Sequence, residues 1–298
     1  MSSSAKAEAD ICCANCGITE EVDEVKLLEE CACKFLRSCS DNCREEHREQ
    51  HKCVKRAQEL HDDDLFTQPD GSHLGECTIC FLPMPLDSNR FSFYSCCSKL
   101  VCNGCVLADL LRNGGGRCLF CREPVEEFVS KKRMMKRIKA NDPAAMRNMG
   151  ALCRTEGDYN TAFEYLTKAA KLGDVDAHYQ LANMYHEGES VEKDEEKEVY
   201  HYEQAAIGGH PNARYNLGSY EERNGNIERA VKHYIIGANH GFEKSMKVLW
   251  KHYSKGNITK EDLESTLRTH KAALDEMKSP EREAAEAWRK AYFTLREE

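Results

Sequence analysis

Four segments of the chain superimpose without a gap: AAMRNMGALC at 144–153, DAHYQLANMY at 176–185, NARYNLGSYE at 212–221 and KSMKVLWKHY at 244–253. Ala145, Ala177, Ala213 and Ser245 coincide, as do Met149, Leu181, Leu217 and Leu249. The steps are 32, 36 and 32 residues. A second set runs in phase with the first: TKAAKLGD, EQAAIGGH and IGANHGFE. It aligns Ala170, Ala206 and Ala238, and Gly173, Gly209 and Gly241. One period holds two helices and their turns, so residues 141–278 read as stacked helix pairs, an all-α helical-repeat solenoid. Small residues at fixed places let the paired helices approach. The glycines stand at helix ends, where a left-handed residue is needed.

The second unit carries Gly188, Val191 and Asp194 in GESVEKDEEKEVYHYEQAA. This G-x-x-V-x-x-D loop resembles a Sel-one-like repeat. Tetratricopeptide repeats are the alternative, because the units stepping by 32 lack the loop. Either resemblance implies a concave surface that binds proteins. Tyr179, Tyr215, His201 and His233 would line that groove or pack the core, and Cys153 reads as a small buried hydrophobe. Thr259 and Asp262 form a capping pattern for a fourth second-helix. Ser279-Pro280 opens a last helix over 279–298. Its Trp288, Tyr292 and Leu295 share one face and are expected to cover the last repeat, as a C-terminal cap.

Upstream the chain changes character. Sixteen of its 17 cysteines fall at or before Cys121. Cys77/Cys80, Cys96/Cys97, Cys102/Cys105 and Cys118/Cys121 form four ordered pairs within residues 77–123. Recurring C-x2-C spacing suits zinc better than a disulfide framework, and better than a redox dithiol, which needs one exposed pair of lowered pKa. The block resembles an all-cysteine RING finger with one residue fewer inside its second pair. The resemblance implies a cross-brace: Cys77, Cys80, Cys102 and Cys105 on one zinc, and Cys96, Cys97, Cys118 and Cys121 on another. It also implies a ubiquitin-conjugating enzyme as partner, contacted by Ile79, Leu119 and Arg122. Leu119 stands where the family usually has proline. Without that role, Ile79 is a small-core residue and Arg122 a surface charge.

A first set precedes it in residues 13–53: Cys13, Cys16, Cys31, Cys33, Cys39, Cys43, His51 and Cys53. Five residues separate Cys33 from Cys39 and seven separate Cys43 from His51, which resembles a MYND-type zinc finger. The second pair is one residue short and the ending two short. His47, one helical turn before His51, is an alternative ligand. The resemblance implies Cys13, Cys16, Cys39 and Cys43 on one zinc, Cys31, Cys33, His51 and Cys53 on another, and a short proline-containing peptide as ligand. The two sets together call for four Zn2+ per chain. Segments this small fold on metal rather than on a core.

Between the modules, residues 54–76 read as an acidic, turn-rich linker, and residues 124–140 as a basic connection. The basic run KKRMMKRIK at 131–139 is either a nuclear localisation signal or a solvated helix with Met134, Met135 and Ile138 turned inward. Residues 1–12 read as a disordered start without the apolar core of a secretory signal. With no long apolar run, this sets the expectation of an intracellular protein, cytoplasmic or nuclear, with no membrane partner. A formal charge of −9 argues against nucleic acid as a partner. The architecture expected is therefore multidomain: two small cross-brace zinc modules followed by an all-α solenoid. The function expected is a RING-type ubiquitin ligase whose MYND finger and repeats recruit partners. The alternative is a non-enzymatic zinc-binding interaction scaffold.

Overall fold

The computed structural model describes residues 52–125 and 130–297. The first expected zinc set lies outside them, apart from Cys53 in the first turn of helix α1 (Lys52–Phe66). The chain forms two units, residues 1–67 and 68–298. Within the first, α1 runs well into the stretch expected to be linker. It stops at Thr67, whose backbone N–H and hydroxyl both donate to Asp63 O, at 3.0 and 2.6 Å.

The array in the second unit follows the sequence period. Its pairs are α4 (Pro143–Thr155) with α5 (Tyr159–Lys171), α6 (Val175–Glu187) with α7 (Glu195–Ile207), α8 (Pro211–Arg223) with α9 (Ile227–Asn239), and α10 (Glu243–Ser254) with α11 (Lys260–Glu276). Side-chain caps start them in register. Asp142, Asp174 and His210 accept from Ala145, Ala177 and Ala213 N–H at the first helices, and Asp158 and Asp194 cap α5 and α7. Each satisfies one N–H that the helix itself leaves orphaned. Gly173, Gly209 and Gly241 end the second helices at φ +83°, +84° and +83°, where only glycine is unstrained.

Packing follows the small positions. Met149, Ala162, Ala169, Ala177, Leu166, Leu181 and Met184 form one core, joined by Cys153, the small hydrophobe expected. A second gathers Ala230, Tyr234, Ala238, Met246, Leu249 and Leu263 around the last pairs. Gly218 lies against Tyr234, where an added Cβ would stand 2.6 Å from the ring. The aromatic and imidazole groups serve mainly as packing: His233 is fully buried, Tyr215 meets Tyr234 and Phe242, and His201 stacks on Tyr185.

Helix α3 (Lys131–Ile138) leads into the array. Met134 is buried and Ile138 packs on the first core, whereas Met135, expected inward, is 38% exposed. The last helix, α12 (Pro280–Glu297), departs further from expectation. It packs along α2 (Asn103–Asn113) in the cysteine-rich segment and not over the last repeat. Its apolar stripe was legible, but its partner was not. The reason is Gly104: the backbone of Glu281 and Arg282 passes within 2.9 Å of where a Cβ would be, an approach no other residue allows.

Two tests follow from this packing. Alanine in place of a mid-helix glycine ordinarily stabilises by about 1 kcal/mol. Gly218→Ala should instead lower the thermal midpoint, because overpacking against Tyr234 costs about 1–3 kcal/mol. A raised midpoint would show that Tyr234 yields. The second test concerns pH. Burial holds His210 and His201 at about 4 and His233 at about 3, with neighbouring His178 adding to the effect on His201 and Arg214 and Arg229 to that on His233. Below pH about 6.5 the unfolded chain takes up these protons and the folded chain does not, so stability falls as pH drops toward 4. The loss at pH 5 should be roughly 1–2 kcal/mol per histidine. A thermal midpoint that stays flat from pH 6.5 to 4.5 would contradict it.

Candidate metal centre and its anchorage

The cysteine-rich segment is built on a short hairpin and one helix. Strands β1 (Phe91–Tyr94) and β2 (Lys99–Cys102) pair antiparallel, with Phe91 opposite Cys102 and Tyr94 opposite Lys99. Cys96 and Cys97 sit in the turn at one end of the hairpin. Cys102 closes the other end, and α2 follows directly with Cys105 in its first turn. The hairpin's length thus holds the second and third cysteine pairs apart.

The first and fourth pairs lie on two copies of one turn. Phe81 N–H donates to Cys77 O, and Arg122 N–H to Cys118 O, both at 2.9 Å. Cys77 N–H donates to Leu82 O and Cys118 N–H to Glu123 O, at 2.9 and 2.8 Å. The residue after each second cysteine is left-handed, Phe81 at φ +57° and Arg122 at φ +64°. A turn of this kind aims both of its sulfurs to one side.

The result is two sulfur quartets, Cys77/Cys80/Cys102/Cys105 and Cys96/Cys97/Cys118/Cys121, each with all sulfurs within 4.8 Å of one another. First and third pairs meet, as do second and fourth. In the first quartet Cys77–Cys105 and Cys80–Cys102 are 3.9 and 3.8 Å apart. In the second, Cys97–Cys118 and Cys96–Cys121 are 3.6 and 3.4 Å. Zn–S bonds of about 2.3 Å at a tetrahedral angle give sulfur separations of about 3.8 Å, so the arrangement fits a four-thiolate site. None of these cysteines is in a disulfide. Hydrogen bonding from Cys102 and backbone N–H groups holds Cys77 down at about 4, while burial pushes Cys97 and Cys105 up to about 12. Four thiolates this close need a dication to coexist.

Of the expected contact residues, Ile79 is 36% exposed on the first turn and Arg122 is exposed after the second. Leu119 is half-buried. It lines a cleft of about 500 Å3 with Val106, Leu110 and, from α12, Trp288 and Tyr292.

A third group, His73, Asp176 and His210, also converges within 4.8 Å. Its chemistry is different. His210 Nδ1 accepts from Ala213 N–H at 3.3 Å, so its proton is on Nε2, which faces Asp176 Oδ1 at 3.2 Å. His73 Nε2 meets the same oxygen at 3.0 Å, and Arg147 Nη1 meets Oδ2 at 3.0 Å. The imidazoles stack at 4.3 Å and Tyr179 stacks on His210 at 4.1 Å. A nitrogen that carries a proton cannot ligate, and a guanidinium repels a cation, so this is a hydrogen-bond hub. It ties the segment before the cysteines to the array. His73 N–H donates to Gly209 O at 3.3 Å, and Asn239 Nδ2 donates to Gln68 Oε1 at 2.9 Å. Sequence reading missed it, since nothing local marks His73 as a partner of residues a hundred positions away.

In native mass spectrometry of the intact chain, Cys97→Ser and Cys80→Ser should each remove one metal ion. Unchanged counts in both would reject the quartets as metal sites.

Among the described residues, no helix is long and apolar enough to cross a membrane. The family described as Sel1 repeat matches residues 143–174, 175–210 and 211–242, including the two units of 32 residues that lack the loop. Chitin synthase regulatory factor 4 of Schizosaccharomyces pombe is 27% identical over 135 residues, covering 43% of this chain and 21% of that protein. The chain thus spans about a fifth of the length of this curated relative. Among solved structures, a Sel1 repeat protein from Oxalobacter formigenes is 28% identical, covering 48% of this chain and 63% of its own, with a TM-score of 0.42. A protective antigen of uropathogenic Escherichia coli, displaying an SLR fold, is 25% identical, covering 50% and 34%, with a TM-score of 0.42. Residues 143–242 thus match three consecutive Sel1 repeats.

Proposed function

We propose that the chain is a RING-type ubiquitin ligase: residues 77–123 hold two zinc ions and engage a charged ubiquitin-conjugating enzyme, while the Sel1 array recruits the protein to be modified. The MYND-like residues 13–53 would hold two further zinc ions and a peptide ligand. The observation that carries this reading is the pair of interleaved quartets, built on matched turns that leave Ile79 and Arg122 exposed beside them. The zinc ions supply structure, and transfer needs no nucleophile from this chain. A ligase of this class works by holding the thioester in a reactive pose, which is catalysis by orientation. Ile79 offers an apolar anchor. Arg122 offers a planar donor fork suited to bridging two proteins.

One observation favours the second reading, a scaffold without activity. Leu119 shares its cleft with Trp288 and Tyr292, so part of the surface that a conjugating enzyme would use is walled by this chain itself. The name of the S. pombe relative, a regulatory factor, is compatible with either reading.

Single-turnover discharge of charged conjugating enzymes separates the two. Ile79→Ala should weaken binding by roughly 1–3 kcal/mol, the value of a buried aliphatic anchor. Arg122→Ala should slow discharge more than it weakens binding. Neither change should alter the metal count. Wild-type protein that discharges no member of a broad panel would leave the scaffold. Activity indifferent to both substitutions would keep the ligase and reject these two residues.

A further inference from the structure

We infer that Arg282, at the start of α12, is a positioning residue of the first sulfur quartet, so that metal held there and docking of the C-terminal helix stabilise each other. This rests on the reading of Cys77, Cys80, Cys102 and Cys105 as a metal site.

The guanidinium reaches the quartet from about two hundred residues away in sequence. Its Nη2 donates to Cys80 Sγ at 3.5 Å and to Leu82 O at 3.2 Å. Its Nη1 donates to Pro83 O and Met277 O, both at 2.7 Å. Leu82 is the residue whose carbonyl receives Cys77 N–H, so Arg282 closes the back of the turn that carries Cys77 and Cys80. The backbone of the same residue lies on Gly104, between Cys102 and Cys105, where an added Cβ would come within 2.8 Å of Arg282 N. One residue therefore touches both halves of the quartet.

The charge fits. A dication with four thiolates carries a net charge of about −2, and a guanidinium stays protonated at any pH the protein meets. An N–H donated to a coordinating sulfur draws off part of its charge and fixes its direction, which is how groups outside a metal's own ligands tune its affinity. The second quartet is the internal reference. Its sulfurs meet one another and the backbone N–H of Cys121, which lies 3.5 Å from Cys118 Sγ. Because linkage is reciprocal, whatever α12 adds to metal affinity, the metal adds to α12 docking.

The test uses the full zinc-loaded chain, a colorimetric chelator to follow release, and native mass spectrometry to count ions. Cys80→Ser and Cys97→Ser assign the release phases to the two quartets. Arg282→Ala should speed release from the first quartet by about 10–100-fold and leave the second unchanged. Arg282→Lys, which keeps the charge and loses the fork, should fall between. In the reverse direction, hydrogen exchange of α12 should rise in Cys80→Ser and not in Cys97→Ser. Equal release rates in wild type and Arg282→Ala would overturn the inference, and so would an effect shared by both quartets. If Arg282→Ala does not fold, the exchange arm decides: α12 protection equal in the two cysteine variants overturns the inference. A Cys80→Ser count equal to wild type would instead reject the metal reading beneath it.

Discussion

One half-buried carboxylate, Asp176, fixes how the cysteine-rich module sits on the array. One of its oxygens faces both His73 and His210, and the other faces Arg147. Arg147 belongs to the first repeat, Asp176 to the second and His210 caps the third, while His73 comes from the segment before the first cysteine. Burying a carboxylate is costly unless its lone pairs are taken up. Here two imidazoles and a guanidinium take them up, holding its carboxyl well below the usual range despite burial. A satisfied charge of this kind specifies a unique arrangement, because any shift of one partner leaves the others unpaired.

The hub exists because the third repeat departs from the cap used by the first two. Asp142 and Asp174 cap their own helices and also accept from an arginine, Arg137 and Arg147 respectively, so neither reaches Asp176 or the segment before the cysteines. His210 performs the same task with Nδ1 and keeps Nε2 for Asp176. An aspartate there would cap the helix equally well but would set a second carboxylate against Asp176. The neighbouring Gly209 serves twice as well. It takes the left-handed turn, and it leaves room for the Gly71 carbonyl, which would lie 2.6 Å from an added Cβ.

The same logic governs the other edge of the module. A segment of about fifty residues buries few large side chains: Met84, Tyr94, Val101 and Leu107 besides its cysteines. Such a core is too small to hold a fold alone, so surface borrowed from the rest of the chain must contribute. The borrowed surface is α12, which leaves the end of the array and returns to α2, with Arg282 reaching the first quartet. The start of the array contributes as well, through Phe93 packed on its first core and Ser130 N–H donating to Ser95 Oγ at 3.1 Å.

By itself the sequence determined what is local and periodic. The helix pairs, their 32- and 36-residue steps, the left-handed glycines, the Thr259 cap and the inward face of Met134 and Ile138 all express turn geometry and helical phase, which neighbouring residues set. The four cysteine pairs were legible as spacing. That their sulfurs lie at tetrahedral separations was not, since it depends on a hairpin holding two pairs apart and on two left-handed turns aiming the others. Three things only the tertiary structure decided. The acidic run at 61–66 is helical where charge and turn residues suggested linker. The stripe of Trp288 and Tyr292 meets α2 and not the last repeat, because an amphipathic face names a need for apolar cover and not its supplier. His73 and Arg282 find partners a hundred or more residues away, through contacts that leave no period, spacing or motif in the chain.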